Sequence, residues 1–281
     1  MTIRPPQPAI GQPSKHLVRD RLLVTTAAVV WIAGTLLGSG WLGGGGVESQ
    51  GDGLFSDNAT LIAPMGPAFS IWSMIYIGLL GYVIWQWLPG SATSEWARMS
   101  RLPAAVAIAL NGVWLLIVFA GWVGVSVLVI LGIAAALGVL LRRTADLRSE
   151  SWAVQVWVAA TFGLYLGWVC VATAANITAA LKAAGFSGWG IPGVLWAVAV
   201  LSIAGLVGAG LAVAGRGRLS PTLSLCWGLA WITVSRVTGT LPSTPVAITA
   251  SAWAAFVAVT TILIRLRHRP SAADKEKPLI L

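Results

Sequence analysis

The sequence predicts an all-α fold, a polytopic integral membrane bundle of about eight transmembrane helices, on three observations. The 281 residues are 57% hydrophobic and only 10% charged, with a mean hydropathy of +0.83. A soluble domain carries about 25% charged residues. Apolar runs of the ~20 residues needed to cross a bilayer core recur along the chain. Lastly, the basic residues gather between alternate runs, the asymmetry that orients membrane helices.

The runs are 22–41, 67–88, 103–121, 122–141, 152–175, 190–214, 220–236 and 245–265. Residues 103–141 are one continuous apolar stretch, but as a single helix they would reach ~58 Å, nearly two bilayer cores. The break is placed at Gly121-Trp122-Val123-Gly124. Run 220–236 is the shortest, and the count of eight depends on it. With eight spans and both termini in the cytoplasm, all 18 basic residues except Lys182 and Arg236 fall on the inner side. Seven spans would put one of the terminal basic groups outside. The net charge of +9 therefore reports orientation in a cell membrane and contact with anionic lipid at the inner face. Scattered over five short segments, it does not form a nucleic-acid surface.

The segments between the runs are uneven. Residues 1–21 are Pro-rich and basic, a disordered cytoplasmic lead followed by a retained first helix rather than a signal peptide. Residues 42–66 form a long outer loop with three acidic residues, no basic ones and a glycine run. It is either a connector or a lid over something between the helices. Residues 267–281 form a basic cytoplasmic tail. Cys170 and Cys226 fall inside spans and read as small apolar packing residues. Arg236, near the outer end of its span, either snorkels to the headgroups or pairs with an anionic ligand group.

The spans are poor in the groups that hydrolysis, proton coupling or metal binding need. They contain no Asp, Glu or Lys, and His16 and His268 lie in the tails. No enzyme chemistry, catalytic set or metal site is expected. What the interior holds is amides and indoles. Asn111 and Trp114 form an N-x-x-W. Tyr165, Trp168, Ala172 and Asn176 fall at offsets of 3, 7 and 11 from the first, one helical stripe. Trp72 and Tyr76, four apart, also share a face. A buried Asn is either helix–helix glue or a site residue. Of the 16 tryptophans, Trp41, Trp85, Trp87, Trp122, Trp152 and Trp189 sit at span ends as an interfacial belt. Trp72, Trp168, Trp196, Trp231 and Trp253 lie deeper and are candidate pocket walls.

These motifs, in this order, resemble the tryptophan-rich sensory protein family, also called TspO/MBR or the translocator (peripheral benzodiazepine receptor) family. That family opens its second helix with P-P-x-W-V-F-x-x-x-W-x-x-L-Y. It carries N-x-x-W-S-x-x-F-F in its third helix and P-Y-x-x-W-x-x-F-A-x-x-L-N in its fifth. Here Trp72 to Tyr76 (W-S-M-I-Y) match the end of the first motif, and Asn111, Trp114 and Phe119 match the second. Tyr165, Trp168, Ala172 and Asn176 match the third at identical spacing. Ala68 replaces a motif tryptophan, Phe69 is displaced by one residue, Leu164 stands for the proline and Val171 for an aromatic.

The resemblance covers roughly residues 20–185. It implies that 22–185 form a five-helix bundle with an apolar pocket capped by loop 42–66, while 186–266 add a further three-helix membrane segment. It also implies ligand-binding roles for Trp72, Tyr76, Asn111, Trp114, Tyr165, Trp168 and Asn176. The ligand would be a flat apolar molecule: a tetrapyrrole, a sterol or an isoprenoid. No cofactor is required; a porphyrin or haem would be held non-covalently, since no span offers a His as axial ligand. The other partners expected are membrane lipids, with a homodimer left open. Two further readings remain: a transporter or exporter of an apolar metabolite, and a membrane enzyme degrading porphyrin in light, as reported for some bacterial members.

Overall fold

A computed structural model describes residues 16–38, 53–148 and 150–268. Eight long helices make up these residues: α1 (Leu17–Gly38), α2 (Gly66–Trp85), α3 (Glu95–Phe119), α4 (Val123–Thr144), α5 (Trp152–Ala183), α6 (Gly193–Ala214), α7 (Leu219–Thr238) and α8 (Thr244–Arg267). The break in the long apolar stretch lies where it was expected. Gly121 takes φ +76°, Trp122 precedes α4, and the chain doubles back. Other boundaries moved outward. α3 begins eight residues before its apolar run because the Ser94 hydroxyl accepts the Ala97 N–H at 3.1 Å and caps a charged first turn. α1 begins at Leu17, so the last residues assigned to the disordered lead are helical. Charged residues such as Arg19 and Asp20 hide a helix start from hydropathy without preventing it.

Seven of the described helices are long and apolar enough to cross a membrane; α7 is not among them. It has 20 residues, about 30 Å of helix, but carries Thr222, Ser224, Ser235 and Arg236, all buried against other helices. Its polarity is spent inside the bundle, so average hydropathy undercounts it.

The first five helices close into a ring in the spatial order α1, α3, α4, α5, α2. Small residues permit the closest approaches. α1 and α3 run parallel with Gly34 on Gly112: a Cβ on Gly34 would lie 2.3 Å from the Gly112 carbonyl oxygen. α2 lies against a π-helical turn, Gln155–Ala160, within α5. There Gly81 receives the Trp157 ring, and the Thr161 hydroxyl takes up the Val156 carbonyl at 2.9 Å.

The remaining helices pack on the outside of α5. α7 runs parallel to it, with Gly163 facing Ser220, Gly167 facing Pro221 and Ser224, and Val171 facing Gly228. α8 returns antiparallel to α7, tied by a 2.7 Å hydroxyl contact between Thr222 and Thr261. α6 lies along α8, where Gly205 receives the Trp253 ring. The turn between α6 and α7 locks this segment to the ring. The Arg218 guanidinium donates to the Thr144 hydroxyl at 2.8 Å and stacks 4.6 Å from the Trp96 ring. Burial pushes it down to about 10, an effect that Asp146 partly offsets, so it stays charged at neutral pH.

Candidate ligand-binding site

Pro67 starts α2 in a tight 3-10 turn, where its missing N–H costs nothing. The turn delivers Phe69 and Trp72 to the inside of the ring. There they meet Trp168 of α5, edge to face: Phe69 at 5.7 Å and Trp72 at 6.2 Å between ring centroids. Trp114 of α3 stands on another side with Phe55 of the outer loop at 6.0 Å. Together with Ile130 and Ile133 of α4, these rings enclose a cavity of about 680 Å³ of empty space, counted to its mouth. Its wall is aliphatic and aromatic, with Asn111 and Thr60 the polar members.

Four of the residues expected at a site, Trp72, Asn111, Trp114 and Trp168, line this cavity. Tyr76, Tyr165 and Asn176 do not line it; they stand one layer behind and fix the residues that do. The Tyr76 hydroxyl donates to Asn111 Oδ1 at 3.2 Å, Asn111 Nδ2 donates to the Tyr165 hydroxyl at 2.8 Å, and Tyr165 donates on to the Ala107 carbonyl. This chain crosses from α2 through α3 to α5. A second one crosses from α3 through α5 to α4: Trp114 Nε1 donates to Asn176 Oδ1 at 2.9 Å, and Asn176 Nδ2 to Ser126 Oγ at 2.8 Å. Both amides are therefore committed to joining helices, which is the glue alternative. The reason is burial: an unpaired amide at these depths costs about 1–3 kcal/mol. The buried Trp168 Nε1, by contrast, has no hydrogen-bond partner.

Other tryptophans separate from the site. Trp196 bonds the Gly188 carbonyl at 3.1 Å, Trp253 bonds Ser202 at 3.1 Å and Trp231 packs edge-on to Trp227; none lines the cavity. Of the expected belt, Trp122, Trp152 and Trp189 are exposed, but Trp85 is buried beside Tyr82 at the end of α2. Trp41 lies outside the described residues, and Phe119, the end of the third-helix motif, faces outward.

The outer loop is described from Gly53 onward, and this half covers the cavity; residues 42–52 lie outside the described residues. Leu54, Phe55, Thr60, Ala63 and Pro64 form its inner surface. Lys182 Nζ holds the Ala59 carbonyl at 2.5 Å, and Arg236 Nη2 holds the Asp57 carbonyl at 2.7 Å. Trp227 Nε1 bonds the Ala68 carbonyl at 2.9 Å, and Ile62 is buried in the core shared by α5 to α8. Of the two expectations for Arg236, snorkelling to the headgroups does not fit. The residue is 2% exposed instead, turned inward to hold the loop. The outer half-loop thus rests on the three-helix segment as well as on the ring.

A family model described as TSPO-like protein matches residues 23–263. The chain belongs to the TSPO-like family. The match runs on through α8, so the three-helix segment lies within the family pattern. No curated protein and no solved structure gives a significant match. As a TSPO-like chain it is a membrane protein of a ligand-binding, sensory kind, with its aromatic cavity at the centre of the first five helices. Sequence reasoning missed Phe55, Ile130, Ile133 and Ser126. Phe55 lies in a loop with no periodicity, and the α4 residues are unremarkable members of an apolar run.

Proposed function

We propose that this TSPO-like protein takes a flat, largely apolar molecule, of the tetrapyrrole, sterol or isoprenoid kind, into the aromatic cavity beneath the outer loop. The observation that carries the proposal is the composition of the cavity wall: three indoles and two phenyl rings around an apolar space with few polar groups, the make-up of a small-molecule site. Trp72 and Trp168 stand at 82° to one another, so a planar ligand stacked on one meets the edge of the other. The unpartnered Trp168 N–H favours a ligand with an acceptor atom at its rim. Among the described residues the cavity wall includes no His, Cys or Met; haem would be held as a porphyrin plane, by stacking. In this reading the protein is a receptor rather than an enzyme, and sits in the cell membrane with both termini in the cytoplasm.

Quenching of tryptophan fluorescence in detergent by protoporphyrin, haem, a sterol and a carotenoid tests the ligand class. Saturable quenching by at least one, lost on substituting Trp72 and Trp168, is expected; no saturable quenching by any would end this reading. Reporter fusions after residues 92, 146, 187, 217, 241 and 281 test the orientation. They should read inside, inside, outside, inside, outside and inside, and an outward carboxy terminus would remove α7 from the count of crossings.

A further inference from the structure

A second site lies away from the aromatic cavity, on the flank where α7 and α8 meet. A wide open groove there holds about 1090 Å³ of empty space and is walled by Thr233, Arg236, Val237, Ile248, Ser251 and Ala252. Along most of its length it is apolar and faces outward: Val237 is 66% exposed and Ile248 64%. At one end stands the Arg236 side chain. Its Nη2 is used by the Asp57 carbonyl and the Ser235 hydroxyl, while Nε and Nη1 are buried without a hydrogen-bond partner. Among the described residues no carboxylate comes within ion-pair distance of it; Asp57 accepts its hydrogen bond through the backbone oxygen, and the more distant Asp57 carboxylate compensates the charge only in part.

A buried guanidinium is tolerated when a counter-charge compensates its lost hydration. The dipole at the end of α7 cannot do so in full, because it amounts to about half a charge. Two features together say what would. Arg236 is two residues from the end of a span-length helix, where lipid headgroups begin, and the groove beneath it is open to the side and apolar. The ligand that matches is an amphiphile with an anionic head and an acyl chain. The bilayer itself supplies one, and a planar guanidinium suits its phosphate.

We propose that the α7–α8 groove binds an anionic phospholipid, its phosphate on Arg236 and an acyl chain along Val237, Ile248 and Ala252. The Thr233 and Ser251 hydroxyls, 3.0 Å apart in the groove wall, flank the glycerol region. Since Arg236 also holds the loop over the aromatic cavity, the lipid completes the charge that anchors this loop. The site does not depend on what the cavity binds.

The test is native mass spectrometry of the full-length protein in detergent, titrated separately with phosphatidylglycerol, phosphatidylcholine and oleate. One tightly retained phosphatidylglycerol is expected, with phosphatidylcholine and oleate at least about ten-fold weaker, as for loss of a charged hydrogen bond. Arg236→Lys should retain binding within about three-fold and Arg236→Gln should lose about ten-fold. Ala252→Trp fills the groove from an exposed position without touching the arginine or the loop, so it keeps the test valid if Arg236→Gln fails to fold. It should abolish retention. Equal retention by wild type and Ala252→Trp would overturn the proposal, as would phosphatidylcholine or oleate binding as tightly as phosphatidylglycerol.

Discussion

The ring α1–α5 and the segment α6–α8 solve the same problem in opposite ways. The ring is built round an opening. Trp72, Trp114 and Trp168 face inward to a space they do not fill, and two chains of hydrogen bonds behind them hold the walls apart. The segment is built on contact. Gly163, Gly167, Gly205, Gly208 and Gly228 bring backbones and rings together with nothing left between. Of its own tryptophans, Trp253 fills the contact between α6 and α8 and Trp196 caps a turn. In a bilayer, apolar side chains gain little by leaving lipid, so helices associate through close packing and polar contacts. An interior space is then maintained only where something rigid props it open, and in the ring that is the work of the buried amides and tyrosines.

The largest effect that can break this comparison is at the seam between the two regions. A Cβ on Gly167 would lie 1.9 Å from the Pro221 carbonyl oxygen, in backbone that cannot step aside. Gly167→Leu should separate α5 from α7 and leave no monodisperse protein after extraction. Gly124→Leu, at a helix position with nothing within 4 Å, should behave as wild type. Similar chromatographic profiles for the two would mean that the segment does not depend on this seam.

Next comes the cavity. Stacking on one indole is worth about 1–3 kcal/mol. Trp72→Ala and Trp168→Ala should each weaken ligand binding roughly ten- to hundred-fold, in fluorescence or calorimetric titrations. Trp253→Ala, which empties a contact on Gly205 in the segment, should lower thermal stability and leave affinity unchanged. Parallel losses of affinity in all three would erase the distinction between the regions.

Much of the ring was legible in the sequence. The Tyr165–Trp168–Ala172–Asn176 stripe and the Asn111–Trp114 pair come from periodicity alone, and they converge on one volume. Periodicity could not tell which of them form the wall and which brace it, because that depends on what lies across the ring. Tyr76 and Tyr165 look like site residues until Asn111 is seen between them. The cap was less legible still. Phe55 belongs to an irregular segment, and its position is decided by the bonds of Arg236 to Asp57 and of Lys182 to Ala59, which join residues 179 and 123 apart in the chain. Gly163-x-x-x-Gly167 has a small-residue spacing suited to close helix packing, but which helix it meets depends on α7, far along the chain. α7 was hardest: its buried hydroxyls and arginine lower the hydropathy on which span assignment rests.

The braces give a smaller effect that sharpens the comparison. Asn176→Leu strands the Trp114 N–H, while the Ser126 hydroxyl keeps its bond to the Val123 carbonyl at 2.7 Å. It should cost about 1–3 kcal/mol of stability, read as an earlier thermal unfolding midpoint. Because Trp114 then loses the bond that fixes its indole, affinity should fall too, by less than for Trp72→Ala. If stability and affinity are both unchanged, the second hydrogen-bonded chain is not what holds the wall.

The smallest effect is expected at Trp196, a deep-set indole by sequence position that the structure places outside the ring. Its N–H caps the Gly188 carbonyl in the turn between α5 and α6, and its ring meets Phe186 and Trp189 at 5.7 and 5.9 Å. That turn holds Trp189 at φ 52°, a left-handed conformation that a non-glycine residue adopts only when its surroundings hold it there. Trp196→Phe keeps the ring packing and deletes one hydrogen bond, a loss of about 0.5–1.5 kcal/mol at most. The unfolding midpoint should drop slightly and ligand affinity should stay within about two-fold, as for the loss of a contact remote from the ligand. A ten-fold loss of affinity in Trp196→Phe, with stability intact, would show that the α5–α6 turn communicates with the cavity. The ring would then not be a self-contained binding unit.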